Sequence, residues 1–430
     1  MGQVFSDTSK KEDNGGLVSS YNKYFKNIKS GSTIISPKTS HSIEQHLKDG
    51  NIQGATSAIR DALKNIDNVP INIAVTGESG AGKSSFINAL REVGDDEKDA
   101  AEVGVIETTM KITSYKHPKF ENLIIWDLPG VGTLKFPPKE YLKKVEFQKY
   151  DFFIIASATR FTEHEMELAK VITMMNKNYY FVRTKVDFDI DNEKKCKPRT
   201  FDREKILEQI RKSYEKTFEK NEIEKPQIFL ISNHNLSDYD FPSLVDILIK
   251  DLPAQKRHNF MLSLPNITEA AIQMKYNASK QFIWLEALKE GVLATIPALK
   301  SLSDSDVQKL EASLNHFRVL FGVDDKSLEL IAKEYQVPVE KLKEKLISHS
   351  LLTNKENETL GEKLFKCVEK FLSVSGGFVA TGLYFGKMFY FQSLFLDKVV
   401  EDAKVLLKEA YSKESLKFNS PTATDHDNMK

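Results

Sequence analysis

Residues 71–90, INIAVTGESGAGKSSFINAL, constrain the fold more than any other part of the sequence. A β-branched apolar run enters a glycine-rich turn and an amphipathic segment leaves it, so a strand, a tight loop and a helix must follow one another here. Gly77, Gly82, Lys83 and Ser84 occupy every fixed position of G-x-x-x-x-G-K-[ST]. The cradle comprises Gly77, Glu78, Ser79, Gly80, Ala81, Gly82, Lys83, Ser84 and Ser85. Its glycines let successive backbone N–H groups converge on phosphate oxygens, at the positive end of the following helix. In such a loop Lys83 reaches the β- and γ-phosphates, and the Ser84 hydroxyl binds Mg²⁺.

The surrounding pattern predicts an α/β sheet. Apolar stretches at 71–75, 109–115, 123–127, 152–157, 179–184 and 228–232 alternate with helical periodicity at 84–90, 163–175, 202–218 and 243–251. Most of these strands are continuous apolar runs, as expected for strands covered on both faces, whereas 109–115 alternates like an edge strand. The chain of 430 residues exceeds one ordinary core. We divide it into a flexible leader (1–20), N-terminal helices (21–68), a nucleotide domain (69–252), a C-terminal helical region (253–411) and a disordered tail (412–430). Residues 371–386 carry no charge but fall short of the ~20 needed to span a bilayer, so a buried helix pair broken at Gly376-Gly377 is expected.

Three further segments name the nucleotide. Thr184-Lys185-Val186-Asp187 follows a strand and matches [NT]-K-x-D. An Asp carboxylate here accepts from the guanine N1–H and 2-amino group, two donors that adenine lacks in this geometry. Ser232-Asn233, after the next strand, falls where a backbone N–H meets guanine O6. Asp127-Leu128-Pro129-Gly130 ends a strand at the position of D-x-x-G, where Asp127 holds Mg²⁺ through water and the Gly130 N–H bonds the γ-phosphate. Between loop and turn lie Glu107, Thr108 and Thr109, in the region of a first switch; one of these threonines could complete the Mg²⁺ shell. After D-x-x-G, the position of the water-orienting glutamine in Ras-like switches holds Val131, which cannot hydrogen-bond through its side chain. An isolated copy should therefore hydrolyse GTP to GDP slowly.

Composition excludes some partners. The 61 basic residues balance the 61 acidic ones, so bulk charge gives no support to nucleic-acid binding. Two distant cysteines, Cys196 and Cys367, make neither a disulfide framework nor a zinc site. The start MGQVFS fits N-myristoylation, with Gly2 exposed after Met removal and Ser6 in place. One such chain binds membranes only marginally, with a partition constant of ~10⁴ M⁻¹, so stable attachment needs a second contact. Tyr21, Tyr24, Phe25 and Ile28 share a helical face that could supply it, or could equally pack on the protein's own core.

Together these blocks closely resemble the immunity-related GTPases, the interferon-inducible, dynamin-like family of vertebrate cell-autonomous defence. The resemblance is carried by GESGAGKSSFINAL, WDLPGVGT (126–133), FFIIASATRF (152–161), YFVRTKVD (180–187) and DLPAQKRHNF (251–260), and continues through FGVDD (321–325). Lys83 places the chain with the effector-like subgroup, since regulatory members carry methionine there. The resemblance implies a six-stranded, mostly parallel α/β P-loop G domain joined to an all-α domain built from both terminal regions. It also implies a GTP-dependent homodimer and oligomer, other family GTPases as partners, and dimerisation through the nucleotide faces, with Glu107 activating hydrolysis. The expected location is the cytoplasm and the cytoplasmic face of endoplasmic reticulum, Golgi or pathogen-containing vacuole membranes. Some relatives have threonine where this chain has Val103, leaving the first-switch metal ligand open between Thr108, Thr109 and none. The competing expectation is a nucleotide-gated adaptor with little turnover, against which Lys83 and the intact D-x-x-G stand.

Overall fold

The computed structural model describes residues 33–104, 111–130, 138–223, 227–266, 268–293, 304–352 and 380–419. Among the described residues, those up to Gln281 belong to one compact unit and those from Phe282 onward to a second.

The first unit is built on β1 (Ile71–Gly77), β2 (Thr113–His117), β3 (Phe120–Asp127), β4 (Phe152–Ser157), β5 (Asn178–Arg183) and β6 (Ile228–Leu230). Their order in the sheet is β2-β3-β1-β4-β5-β6. Only the β2–β3 pair is antiparallel, the rest being parallel. Every position of β4 is buried, as its unbroken FFIIAS sequence requires of a strand covered on both faces. The edge strand begins later than the alternation over 109–115 predicts: Lys111 and Ile112 are exposed, and pairing with β3 starts at Thr113. The chain leaves β1 toward β3 on one side and returns to β4 on the other. A crevice therefore opens at the carboxyl end of β1, where open α/β sheets bind ligands.

Helices pack around this sheet. α1 (Pro37–Lys48) starts at a Ser36 cap accepting the Thr39 N–H at 3.1 Å, and α2 (Ile52–Asn68) at an Asn51 cap accepting Gly54 at 2.9 Å. α3 (Lys83–Leu90), α4 (Pro138–Lys144), α5 (Glu163–Met174), α6 (Val186–Cys196), α7 (Arg203–Lys220), α8 (Phe241–Asp251) and α9 (Ala254–Ser263) follow, and then α10 (Glu269–Leu293), whose residues from Phe282 onward belong to the second unit. Phe161 lies 4.6 Å from Phe181 and Phe181 lies 4.7 Å from Phe218, between ring centroids. This buried cluster ties α7 to β5 and fixes the approach to α5.

The second unit contains α11 (Asp304–Leu320), α12 (Asp325–Tyr335), α13 (Val339–Lys345), α14 (Ile347–Leu352) and the 40-residue α15 (Ala380–Asn419). Asp402 of α15 is 1 % exposed and accepts the Ile347 and Ser348 N–H groups at 2.8 and 2.7 Å. A carboxylate thus answers the free donors and positive end of α14. Among the described residues no helix is long and apolar enough to cross a membrane. Gly2, the face at 21–28 and most of the uncharged run at 371–386 lie outside the described residues.

Candidate nucleotide site

The phosphate loop takes its shape from three glycines. Gly77 has φ +142°, and a Cβ there would meet the Ala156 carbonyl oxygen at 2.0 Å, so β4 passes too close for any side chain. Gly80 and Gly82 sit in the left-handed region at φ +75° and +73°. Gly82 is the N-cap of α3 and brings no side chain to its N–H groups, so the helix presents its positive terminus to an anion. Lys83 is 7 % exposed, and its Nζ donates to the carbonyls of Gly77 at 3.1 Å and Glu78 at 3.0 Å, which holds the ammonium over the loop.

Asp127 ends β3 beside this loop. The Ser84 Oγ donates to Asp127 Oδ2 at 3.5 Å, and Asp127 is 2 % exposed. A hydroxyl and a carboxylate at that separation are hard oxygen donors suited to Mg²⁺. The D-x-x-G turn presses on the phosphate loop itself, since a Cβ on Gly130 would lie 2.6 Å from the Gly77 carbonyl oxygen. Tyr141 fastens the turn from beneath: its hydroxyl donates to Pro129 O at 2.9 Å and lies 3.0 Å from Thr76 Oγ1. Burial drives the Tyr141 phenol far above its ordinary pKa, so it serves as a donor throughout the physiological range.

The loops after β5 and β6 are fixed to the same cradle. Thr184 Oγ1 donates to Ala81 O at 2.8 Å, and Asn233 Nδ2 donates to Gly82 O at 2.9 Å. Ser232 is fully buried and accepts the His234 and Asn235 N–H groups, each at 3.2 Å, which shapes the turn after β6. Lys185 holds a left-handed conformation at φ 58° and lets α6 begin at Val186, so Asp187 falls in its first turn. Asp187 Oδ1 is buried without a hydrogen-bond partner. Arg183, nearly buried, pairs with Asp189 at 2.5 Å and braces that turn. A cleft of about 430 Å³ runs from Glu78 and Gly80 to Lys185, Phe188 and Asp189.

The structure therefore brings together Gly77 to Ser85, Asp127, Gly130, Thr184, Lys185, Asp187, Ser232 and Asn233. Glu107, Thr108, Thr109 and Val131 lie outside the described residues. Sequence patterns missed Tyr141, Arg183, the side-chain role of Asn233, and Glu165, which bonds the Glu78 N–H at 3.2 Å. Tyr141, Glu165 and Asn233 act on partners 12, 87 and 151 residues away, beyond the reach of local spacing, whereas Arg183 acts six residues along its own segment.

A mostly parallel sheet with a glycine cradle at the end of β1 and a D-x-x-G turn, a T-K-x-D loop and an S-N loop around it defines a P-loop GTPase. The family model for interferon-inducible GTPases matches residues 36–410. Interferon-gamma-inducible GTPase 10 of Mus musculus is 51 % identical over 95 % of this chain and 97 % of its own length. Interferon-inducible GTPase 1 of the same organism is 48 % identical over 95 % of this chain and 99 % of its own, and Immunity-related GTPase family M protein 1 is 32 % identical over 74 % of each. The chain belongs to the interferon-inducible, or immunity-related, GTPases. GTP and GDP are accordingly its nucleotides, and the oxygen donors at Ser84 and Asp127 fit Mg²⁺ as the accompanying metal.

Proposed function

We propose that GTP with Mg²⁺ binds in the cleft between the phosphate loop, the turn at 127–130 and the loop at 184–187, that the GTP-bound protein self-associates, and that it acts on the cytoplasmic faces of intracellular membranes, pathogen-containing vacuoles among them. The observation that carries the nucleotide assignment is the buried Asp187 Oδ1 without a hydrogen-bond partner, in the first turn of α6 and two residues beyond Lys185, which lines a cleft together with Glu78 to Ala81 of the phosphate loop. The guanine N1–H and 2-amino group would complete that carboxylate. Adenine would leave it buried and unanswered, and such penalties give discrimination of ~10⁴.

Mg²⁺, when bound, would supply neutralisation of the phosphate charge. The protein's own groups would do the rest: Lys83 would hold the phosphates, the Ser84 hydroxyl and, through a water, Asp127 would hold the metal, and the Gly130 N–H would report the γ-phosphate. Val131 leaves the attacking water unoriented, so a group from a second copy completes the site, with Glu107 the candidate and Thr108 or Thr109 closing the metal shell. Myristoylation at Gly2 and a second contact supply membrane attachment, and other GTPases of the family are natural co-assembling partners.

Turnover of GTP per molecule, measured against protein concentration with and without liposomes, tests this reading. Turnover is expected to rise with concentration, and light scattering is expected to grow with GTP but not with GDP. A flat turnover curve would eliminate activation by assembly.

A further inference from the structure

Glu165 occupies the third position of α5, and its carboxylate is shared between two jobs. Oε2 accepts the Thr162 N–H at 2.8 Å and the Thr162 hydroxyl at 3.2 Å, while Thr162 Oγ1 accepts the Glu165 N–H at 3.4 Å. That is a complete capping box. A cap of this kind needs only one oxygen. The other, Oε1, accepts the Glu78 N–H at 3.2 Å from a residue 87 positions away in the phosphate loop. Glu165 is 2 % exposed, although the third position of a capped helix ordinarily faces water. Burial pushes its carboxyl up to about 7, against the lowering effect of the Thr162 hydrogen bond and with the Glu78 carboxylate pushing upward as well. Burying a carboxylate beside an anion-binding loop is costly unless its hydrogen bonds perform a task there.

The task lies in the Glu78 backbone. Its N–H is held by Glu165, while its carbonyl takes the Lys83 ammonium at 3.0 Å and the Ala81 N–H at 3.2 Å. Glu78 is thereby fixed from both sides, and Lys83 depends on where its carbonyl points. Phe161, buried against Phe181 at 4.6 Å, fixes the start of α5, so the reach of Glu165 is set by the core.

We propose that Glu165 is a positioning residue for nucleotide binding, which fixes the Glu78 segment of the phosphate loop and through it the seat of Lys83. The proposal rests on the reading that this loop binds the phosphates of GTP.

Two substitutions separate the cap from the reach. Glu165→Asp keeps a capping carboxylate but ends about 1.5 Å short of the loop. Thr162→Ala removes the hydroxyl that caps α5 and leaves the contact with Glu78. Titration with fluorescent GTP and GDP, steady-state turnover and thermal melting are measured on the full-length protein. Glu165→Asp is expected to weaken GTP and GDP alike by about tenfold, the order of one lost charge-assisted hydrogen bond, and to raise KM with kcat at saturation unchanged. Thr162→Ala is expected to lower Tm while both nucleotide affinities stay within about twofold of wild type. If affinity in both variants merely follows the loss of Tm, or if Glu165→Asp binds like wild type, Glu165 is a helix cap alone and the proposal fails. Absence of GTP binding by the wild-type protein would instead overturn the reading of the loop together with the proposal.

Discussion

Replacing Gly130 with alanine should separate GTP binding from GDP binding. The new Cβ would lie 2.6 Å from the Gly77 carbonyl oxygen, whereas real Cβ contacts closer than 3.0 Å are essentially never seen and ordinary contact begins at 3.4 Å. The obstacle is backbone at the root of the phosphate loop, with Gly77 itself pressed against Ala156 O, so the loop cannot retreat. The turn must yield, and it is tethered at Pro129 O by Tyr141 at 2.9 Å. Its Gly130 N–H therefore swings away from the γ-phosphate position by several tenths of an ångström. Losing one hydrogen bond to a charged group costs about 1.5–3 kcal/mol, which is about ten- to 150-fold in affinity. GDP offers no γ-phosphate to this N–H, and its affinity should stay within about twofold. Competition binding of GTP and GDP to the wild type and to Gly130→Ala reads the ratio directly. An equal loss for both nucleotides, or no loss for GTP, would refute the assignment of Gly130 as the γ-phosphate contact.

Lys83→Ala should abolish nucleotide-dependent light scattering while leaving the circular dichroism of the fold intact. Asp187→Asn should lower guanine selectivity by about tenfold or more and improve competition by xanthosine triphosphate, whose extra carbonyl suits an amide donor. Tyr141→Phe removes the hydrogen bonds of the phenol to Pro129 O and Thr76 Oγ1, so urea unfolding should report a loss of about 1–3 kcal/mol. Burial lowers the Lys275 ammonium to about 7, beside Glu92 and Lys119. Because the folded pKa lies below that of the unfolded chain, stability should fall as pH drops from about 10.5 to 7, and Lys275→Met should flatten that slope in denaturant titrations at each pH.

The sequence made the site legible wherever chemistry demands a residue type at a fixed spacing along one segment. Gly77, Gly82, Lys83 and Ser84 are such a set, and the backbone confirms why the glycines are needed. Strand β4 was legible because five consecutive apolar residues, Phe152 to Ala156, mark a strand covered on both faces. Helix α6 was not: VDFDIDNEKKC lacks an apolar period, and it starts where the left-handed Lys185 and the acids of its first turn set a terminus. The edge strand was misplaced by several residues because alternation marks a half-exposed segment without fixing where pairing begins. Tyr141, Glu165 and the Asn233 side chain act on loops 12, 87 and 151 residues away, and only the folded sheet brings those partners together.

The uncapped start of α3 has a consequence for the whole molecule. Gly82 contributes no side chain to the helix N–H groups, so the native chain leaves part of its own hydrogen bonding to be completed by an anion. Nucleotide is then a component of the folded protein as well as its substrate. At a free concentration one hundred times its dissociation constant it adds about 2.7 kcal/mol to stability. A fall in the cellular guanine-nucleotide pool would therefore shorten the lifetime of this protein as well as slow its turnover, and abundance would follow the metabolic state of the cell.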